Sequence, residues 1–273
     1  MDGIKLLMCG NEGVYSGLLL TALSCVKHTK RPIELYIGTM SLTDIDERYT
    51  PISKRMAQTV EGVLKEGNPD SCVHLLDFSE DFRRELADSK NMTSSYTPYA
   101  MIRLFADRIE GVGDKLLYFD TDVCPMGDIG ELYDLDVEDY HMAGVRDYFG
   151  KFFFGNHYLN SGVLLFNMKR MREDGVFPRC ITLCRDKKML LFDQHALNKY
   201  AKKKLILHRR FNEQKSTREG TLIRHFAMTI KWLPYFRTQT VKPWQPDRMH
   251  GILHDYAFDD VIEKWQQIVN NDN

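Results

Sequence analysis

The amino-acid sequence predicts an α/β fold in which helices flank a mostly parallel central sheet, with a small mixed second sheet. In the first half of the chain, short apolar runs of strand length alternate with segments of helical periodicity, a pattern typical of parallel sheets. The strongest apolar run, Leu116–Phe119, is followed at once by the carboxylates Asp120 and Asp122. Ligands of open α/β sheets bind beyond the carboxyl ends of the strands, so this order also predicts a Rossmann-like ligand site.

The first half, about residues 1–125, is predicted to bind a nucleotide. A strand over Ile4–Cys9, a polar turn over residues 10–13 and a helix over Tyr15–Lys27 form the usual start of a nucleotide-binding α/β domain. The turn lacks the Gly-x-Gly-x-x-Gly pattern of dinucleotide-binding proteins. The later elements predicted here are strands over Ile33–Ile37 and Cys72–Leu76, a helix from Leu42 to about Lys65 that Pro51 interrupts, a helix over Phe78–Leu86, a polar loop over Asn91–Thr97 and a helix from Tyr99.

The second half, about residues 126–250, contains shorter elements, and residues 146–158 form a loop rich in aromatic side chains and glycine. The predicted strands are Met142–Val145, Leu159–Asn167, Leu205–His208 and Leu222–Phe226. The predicted helices are Gly130–Tyr133, Phe177–Cys184, Leu191–Asn198 with Asp193 as its N-cap, and an amphipathic closing helix over about residues 259–269. We expect one domain over residues 1–273.

The composition argues against several functional classes. The 273-residue chain has a formal net charge of −1 and no long basic block, so it lacks the electrostatic signature of a nucleic-acid-binding protein. No apolar run approaches the length of a membrane span, and the first residues lack the pattern of a signal peptide. Six cysteines without paired metal spacing favour reduced, buried thiols. We therefore expect a cytoplasmic protein with, at most, weak peripheral association at the inner face of the membrane.

Asp120 and Asp122 are the leading candidates for metal binding. Residues i and i+2 of an extended segment share a face, so both carboxylates can point to one spot beyond the strand. Like charges a few ångströms apart repel, and a cation between them removes that cost. The pair therefore predicts a hard divalent metal that holds a phosphorylated substrate. The alternative is that Asp120 caps the next turn and Asp122 is solvated, because Asp is common after strands.

Other polar residues occur where the pattern predicts an apolar environment. Arg103 lies among apolar neighbours, and a buried guanidinium needs an anionic partner, either a carboxylate or a substrate phosphate. A structural ion pair, or an exposed head on a snorkelling stem, explains it equally well. Asn160 and Ser161 open the second long apolar strand, where Gly162 would allow the close approach of a ligand or of another backbone.

Three segments carry a family resemblance when they are taken together. They are Asp114-Lys-Leu-Leu-Tyr-Phe-Asp-Thr-Asp122, Leu159-Asn-Ser-Gly-Val-Leu-Leu-Phe-Asn167 and Asp193-Gln-His-Ala-Leu-Asn198, in this order. They resemble glycosyltransferase family 8, which includes glycogenin and bacterial lipopolysaccharide glucosyl- and galactosyltransferases. The resemblance covers nearly the whole chain and implies a GT-A type fold with a nucleotide-binding half and an acceptor half. It also implies retaining hexosyl transfer from a nucleotide-sugar, UDP-glucose or UDP-galactose, to a saccharide or lipopolysaccharide-type acceptor.

The resemblance further implies the residues of the site. Asp120, Asp122 and His225 match the metal ligands, with Mn²⁺ expected and Mg²⁺ as the alternative; an imidazole ligand favours Mn²⁺ over Ca²⁺. A histidine in an apolar strand is otherwise most often a hydrogen-bonded core residue. Asp193 and Gln194 match the sugar-binding carboxylate and the amide beside the reacting carbon, although Asp193 as a helix cap would need no such role. The expected donor contacts are Asn11, Tyr15, Arg103, Thr121, Asn160, Ser161 and Lys231.

The chain departs from the family pattern at three points. The first loop, Asn11-Glu-Gly-Val-Tyr15, lacks the usual two acidic residues, which leaves base and ribose recognition open, although Tyr15 could stack on a uracil. Met228 stands where the family has a glycine after the metal histidine. Lys231-Trp-Leu replaces Lys-Pro-Trp, but a Lys-Pro-Trp occurs at Lys242, so Lys242 is the alternative to Lys231 at the diphosphate.

Two other functions compete with glycosyl transfer. Phe119–Val123 also resembles the Asp-x-Asp-x-Val strand end of haloacid-dehalogenase-like phosphatases, although that motif usually lies near the N-terminus and its partner residues are not evident here. A nucleotide-sugar-binding protein without turnover is the third interpretation, because the first loop and the Met228 position are altered.

Overall fold

A computed structural model describes residues 3–92, 97–231 and 237–272 of the chain. Within these ranges the strands are β1 Ile4–Cys9, β2 Ile33–Thr39, β3 Cys72–Asp77, β4 Lys115–Phe119, β5 Val123–Pro125, β6 Met142–Arg146, β7 Leu159–Asn167, β8 Lys204–Leu207, β9 Ile223–His225, β10 Thr229–Lys231 and β11 Arg237–Gln239. The α-helices are α1 Tyr15–His28, α2 Lys54–Gly67, α3 Ser79–Leu86, α4 Gly130–Tyr133, α5 Gly150–Phe154, α6 Met168–Glu173, α7 Val176–Asp186, α8 Phe192–Tyr200, α9 Pro246–Arg248 and α10 Asp259–Asp272. The 3₁₀ helices are Glu12–Val14, Pro98–Arg108 and Arg209–Phe211, and a π-helical segment spans Met249–Leu253.

The described strands form a seven-stranded sheet in the order β3-β2-β1-β4-β7-β6-β8. Strands β1 to β4 pair in parallel, β7 runs antiparallel to both β4 and β6, and β8 pairs in parallel with β6. The reversed strand β7 therefore begins at the edge of the sheet where β4 and β6 end. The predicted mostly parallel sheet is confirmed, and it gives the doubly wound α/β architecture expected from the alternation of strands and helices.

Helices cover both faces of this sheet, as predicted. One core contains buried side chains of α1, α2 and α10 against β1, β2 and β4. The other contains α3, α7, α8 and the 3₁₀ helix Pro98–Arg108 against the opposite face. None of the helices in the described part of the chain is both long and apolar enough to span a membrane.

The small second sheet is antiparallel rather than mixed, and it begins directly after the two carboxylates. Strand β5 pairs with β9 so that Val123 lies opposite His225. Cys124 and Pro125, expected to end regular structure, are thus part of a short strand; Pro125 is its last residue, where a missing N–H is tolerated. Strands β10 and β11 form a separate antiparallel pair. The predicted strand Leu205–His208 corresponds to β8. It is not part of the small sheet, because it pairs with β6 and extends the main sheet.

Two predictions about helices need correction. The helix expected from Leu42 begins only at Lys54, where the Ser53 side chain accepts a hydrogen bond from Met56 N and so caps the helix. Pro51 precedes this helix and forms an isolated bridge with Asn11. A proline interrupts a helix, so the helix cannot run through this position. The aromatic loop contains the short helix α5. In the polar loop predicted over Asn91–Thr97, residues 93–96 lie outside the described part of the chain.

Helix α1 packs tightly against the segment that carries the two carboxylates. Thr21 Oγ1 donates to the carbonyl oxygen of Val123 at 2.6 Å. A Cβ added to Gly17, one turn earlier, would lie 2.1 Å from the carbonyl oxygen of Thr121 and 2.7 Å from Trp244 Cζ3. Gly17 therefore permits the close approach of the helix to this backbone.

Two glycine-to-alanine substitutions within helices should have opposite effects on stability. Gly17→Ala should lower the free energy of unfolding by about 1–3 kcal/mol, because the methyl group meets a backbone carbonyl that cannot move freely. Gly62→Ala in α2 meets no atom within 4 Å, so it should raise stability by about 0.5–1 kcal/mol through helix propensity. Thermal denaturation of both variants measures the difference; equal melting temperatures would contradict the close packing of α1.

Candidate active site

The two carboxylates lie where the buried strand β4 ends. Residues 116–119 are fully buried between the two cores, so the chain can leave the sheet only at this edge. The Asp120 amide donates to the carbonyl oxygen of Gly162 on the neighbouring strand at 2.8 Å. The Asp122 side chain is 10% exposed and that of Asp120 is 28% exposed. Both acids are therefore fixed by sheet hydrogen bonding and partly withdrawn from water.

His225 reaches these acids through the β5–β9 pair. The Phe226 amide donates to the carbonyl oxygen of Asp122 at 2.9 Å, which fixes His225 beside the acidic segment. His225 Nε2 lies 3.2 Å from Asp122 Oδ1 and 3.8 Å from Asp120 Oδ2. One ligand atom from each of the three side chains lies within 4.8 Å of the others. The structure thus brings together the three residues that the family resemblance assigns to the metal.

A chain of hydrogen bonds sets the orientation and tautomer of His225. The Gly162 backbone N–H donates to Asn160 at 3.0 Å, so the atom it meets must be Oδ1. Asn212 lies 2.9 Å from the same oxygen and therefore donates its Nδ2. Its Oδ1 then faces His225 Nδ1 at 3.1 Å and accepts the Nδ1 proton. Nε2 is consequently the nitrogen that faces the two carboxylates, as in histidines that ligate metals.

The donor set fits a hard to borderline divalent cation such as Mn²⁺ or Mg²⁺. It combines two carboxylates with one imidazole nitrogen, and none of the described thiols belongs to the cluster. Gly162 forms its wall: an added Cβ would lie 2.1 Å from His225 Cε1 and 2.8 Å from Asp120 Oδ2. A side chain at position 162 would collide with His225 and Asp120, so only glycine fits there.

Lys242 also reaches the acidic pair. Its Nζ donates to Asp122 Oδ2 in a close ion pair. Burial of Asp122 favours the protonated acid, but Lys242 and then His225 oppose it more strongly, so the pKa of the Asp122 carboxyl lies well below its usual value. Lys231 lies in strand β10, but its side chain is outside the described part of the chain, as are residues 232–236. The structure thus places the Lys242 ammonium group at the acidic pair.

Arg103 joins the metal end of the site to its other buried acid. Its Nη2 donates to Asp120 Oδ1 at 2.8 Å and its Nη1 to the carbonyl oxygen of Ser161 at 2.8 Å. The guanidinium also lies over the Tyr118 ring, 4.3 Å from its centroid, and Tyr118 donates its hydroxyl to Asp120 Oδ1 at 2.8 Å. Arg103 is therefore buried and has the anionic partner that a buried guanidinium needs, the Asp120 carboxylate.

Asp193 retains an oxygen that nothing in the described structure satisfies. It lies in the first turn of α8 and is not the N-cap, because the helix begins at Phe192. Its Oδ2 lies 3.2 Å from Arg103 Nε, but Nε is directed to the carbonyl oxygen of Ala100, and Oδ2 accepts no hydrogen bond among the described residues. Burial raises the pKa of this carboxyl, although Arg103 opposes the shift. A buried acceptor of this kind suits a hydroxyl donor.

Gln194 and Asn160 meet at a carboxylate that the sequence did not single out. Gln194 Oε1 accepts from the Ser161 amide at 2.9 Å and from its hydroxyl at 3.2 Å. Gln194 Nε2 donates to Asp147 Oδ2 at 3.3 Å, and Asn160 Nδ2 donates to the same oxygen at 2.9 Å. Asp147 directly follows strand β6, so its position after a predicted strand was the available signal. Asn212 follows the 3₁₀ helix Arg209–Phe211, and the sequence offered no comparable signal for it.

The first loop lies against the acidic segment from the opposite side. A Cβ on Gly10 would lie 3.6 Å from Thr121 Cγ2, so the turn and Thr121 are neighbours. Asn11 Nδ2 donates to the carbonyl oxygen of Arg48 at 2.9 Å and holds this turn against the segment that precedes α2. Tyr15 begins α1 and is packed against the first core.

Comparison with known proteins identifies the family. The family model of glycosyl transferase family 8 matches residues 5–247. The chain belongs to this family. It is therefore a transferase, and the resemblance noted from its sequence motifs is confirmed.

Relatives of family 8 span the chain to different extents. General stress protein A of Bacillus subtilis is 23% identical over 298 residues, which cover 95% of this chain and 93% of that protein. The glycosyltransferase GlyA of Streptococcus pneumoniae is 34% identical over 107 residues, but these represent 38% of this chain and only 15% of GlyA.

Solved structures of family 8 enzymes share the fold. An active-site mutant of LgtC has a TM-score of 0.68 at 16% identity, over 98% of this chain and 96% of that chain. The glycosyltransferase GlyE of Streptococcus pneumoniae has a TM-score of 0.62 at 17% identity, over 97% of this chain and 64% of that chain. The expected GT-A type fold is confirmed by this similarity.

Asn212 should control the affinity of the site for a divalent cation. Asn212→Leu removes the acceptor of the His225 Nδ1 proton and should weaken Mn²⁺ binding by about 10- to 100-fold, the usual effect of losing such an outer partner. Asn212→Asp keeps an oxygen at this position and should retain most of the affinity. Calorimetric titration with Mn²⁺ measures both variants. Equal affinity in both variants and the wild type would contradict the orienting role.

Proposed function

We propose that this protein is a metal-dependent, retaining hexosyltransferase that uses a UDP-hexose, UDP-glucose or UDP-galactose, as donor. The single observation that carries this proposal is the convergence of Asp120, Asp122 and His225 Nε2 on one point, while Arg103 links Asp120 to the buried oxygen of Asp193 that accepts no hydrogen bond among the described residues. The first three groups suit a cation that binds a diphosphate, and the Asp193 oxygen suits a sugar hydroxyl. Membership of family 8 supports the same reaction class.

Cleavage of the donor leaves negative charge on the diphosphate and positive charge on the sugar. A divalent metal held by Asp120, Asp122 and His225 supplies Lewis-acid stabilisation of the departing diphosphate. We assign the lysine of the diphosphate site to Lys242 rather than Lys231, because Lys242 Nζ already lies at Asp122. When the cation takes over Asp122, the ammonium group is left free to pair with a phosphate oxygen.

The donor sugar is oriented by the groups on the other side of Arg103. Asp193 accepts a hydroxyl hydrogen through Oδ2, while Arg103 holds Asp193 and Asp120 at a fixed separation. Asn160 belongs to the same wall, where Asp147 accepts hydrogen bonds from two amides. Such fixed positions lower the entropic cost of bringing the acceptor hydroxyl to the anomeric carbon. The nucleotide is held at the Gly10–Tyr15 turn, with Asn11, Tyr15 and Thr121 as its contacts.

Gln194 is not well placed to act as a nucleophile. Its amide oxygen already accepts from both donors of Ser161, and an amide is in any case a weak nucleophile. We therefore favour front-face attack on the anomeric carbon, in which the leaving diphosphate accepts the proton of the acceptor hydroxyl. Gln194 then contributes by fixing Ser161 and Asp147 around the reacting carbon.

The acceptor is proposed to bind in a cavity of about 360 Å³ that adjoins the site at Asn212. Its charged lining consists of Arg146, Lys151, Arg209, Lys215 and Arg218 around one acid, Glu213. The excess of positive charge favours a saccharide that carries phosphate or carboxylate groups, as a lipopolysaccharide-type acceptor does. Tyr148 and Lys151 also line it, the Phe152 ring packs edge-on against Tyr148, and Phe152 is 72% exposed and so available to stack on a sugar ring.

The phosphatase alternative has no support in the structure or in the family membership. Its nucleophile would be Asp120, whose Oδ1 instead accepts hydrogen bonds from Arg103 and Tyr118. Hydrolysis of a phosphate monoester with Mg²⁺ would favour that alternative. Tight binding of a UDP-sugar with no transfer or hydrolysis would favour a binding protein without turnover.

Asp122→Asn should lower metal-dependent turnover of the UDP-sugar by at least about 10²-fold, because it removes a charged ligand of the cation. Release of UDP from UDP-glucose and UDP-galactose with Mn²⁺ measures this effect. Asp88→Asn, a change at an exposed carboxylate, is the matched control and should leave turnover unchanged. Wild-type rates in the Asp122 variant would remove the metal role from this pair.

Lys242→Met and Lys231→Met should separate the two candidate lysines. Loss of the ammonium group at the diphosphate should lower kcat by about 10²- to 10³-fold, which corresponds to about 3–4 kcal/mol of charge stabilisation. We expect this loss in the Lys242 variant and near-normal kcat in the Lys231 variant. The reverse result would transfer the role to Lys231.

A further inference from the structure

A second group of potential metal ligands lies at the opposite edge of the sheet. Glu34 on β2 pairs directly with Cys72 on β3, and His74 follows two residues later on the same face of β3. All three residues lie near the amino ends of parallel strands, whereas Asp120 follows a carboxyl end. The group is therefore spatially separate from the site described above.

The distances within this group match a tetrahedral zinc site. Cys72 Sγ lies 3.6 Å from His74 Nε2, and His74 Nε2 lies 3.1 Å from Glu34 Oε1. One ligand atom from each residue lies within 4.8 Å of the others. Zinc bonds of about 2.3 Å to sulfur and about 2.0 Å to nitrogen or oxygen place tetrahedral ligand atoms roughly 3.3–3.6 Å apart. The side chains thus need little movement to close around an ion.

Neighbouring side chains hold two of the ligands in place. The Tyr36 ring stacks on the His74 ring with centroids 4.9 Å apart, and the Tyr36 hydroxyl donates to Glu34 Oε1 at 2.6 Å. Lys5 Nζ lies 3.9 Å from Glu34 Oε2, but it also donates to the carbonyl oxygen of Gly111. Its charge opposes a cation here, although from the carboxylate oxygen that faces away from His74.

The group is accessible and carries the only thiol among the described residues that is not buried. The side chains of His74 and Glu34 are 45% and 30% exposed, so an ion can enter from solvent. The other five cysteines are buried. Burial and the Glu34 carboxylate raise the pKa of the Cys72 thiol, so ion binding would release its proton to solvent.

We propose that Glu34, Cys72 and His74 bind Zn²⁺, with water as the fourth ligand, and that the ion fastens edge strand β3 to β2. The thiolate and imidazole select zinc over Mn²⁺, Mg²⁺ and Ca²⁺, while the Asp120, Asp122 and His225 set lacks a thiol and favours harder ions. An ion that binds the folded state stabilises it by mass action. Zinc at this site therefore raises the free energy of unfolding and takes no part in the transfer reaction.

Cobalt titration of the full chain tests the proposal, because a thiolate-to-cobalt charge-transfer band in the near ultraviolet reports a cysteine ligand. We expect the band in the wild type, in Asp122→Asn and in Cys25→Ala, its loss in Cys72→Ser, and its displacement by Zn²⁺. Absence of the band in the wild type, or its persistence in Cys72→Ser, would overturn the proposal.

Thermal denaturation adds a second readout. Zn²⁺ should raise the melting temperature of the wild type, and the rise should be absent in Cys72→Ser and in His74→Gln. Turnover of UDP-sugar with Mn²⁺ should be the same in Cys72→Ser and in the wild type. A zinc-dependent rise of equal size in Cys72→Ser would place the zinc elsewhere.

Discussion

Two carboxylates held side by side at the end of a buried strand are the constraint on which the site depends. Like charges in this position destabilise the fold unless cations compensate them. Two side chains share this compensation, because Arg103 pairs with Asp120 and Lys242 pairs with Asp122, each through a direct ion pair. Each acid therefore has its own cationic partner, and the imidazole of His225 lies close to both acids. The need to compensate the two negative charges thus accounts for the positions of Arg103 and Lys242.

The asparagine network extends this balance from the metal end to the sugar end. A single backbone N–H, that of Gly162, fixes the amide of Asn160, which fixes Asn212 and through it the protonated nitrogen of His225. Asn160 also donates to Asp147, which accepts from Gln194. A change at the proposed sugar wall would thus be transmitted to the proposed metal ligand His225 through a few hydrogen bonds, as the joint binding of donor and cation requires.

Much of the fold was predictable because its main signals are local. Strands β1 to β4, β6 and β7 are short apolar runs, and the two acids directly after β4 were identified from the strand period alone. The start of α2 was predicted too early, at Leu42. The helical pattern of the sequence continues across Pro51 and Ser53, but these two residues prevent a helix before Lys54. The pairing of β8 with β6 in the main sheet was not predicted, since the two strands lie about 60 residues apart along the chain.

The rest of the site depends on contacts that no local pattern carries. His225 reaches Asp122 only because β9 pairs with β5, and only the family resemblance pointed to it. Asp147 follows a strand and Asn212 follows a 3₁₀ helix, as many polar residues do, and their contacts with the site are visible only through shared hydrogen bonds. The proposal of Lys242 instead of Lys231 required the fold, because the spacing in sequence favoured Lys231, whereas Lys242 lies beside Asp122.

The reversed direction of β7 has a consequence for how specificity can diverge. Since β7 begins where β4 and β6 end, the connection from β6 to β7, which contains α5, starts and finishes at the edge of the sheet that carries the site. Insertions or deletions there leave every strand register intact. Under the proposed function, changes in this connection beyond Asp147 would therefore alter acceptor binding, while the strands and the Asp120, Asp122 and His225 cluster beneath it keep their positions.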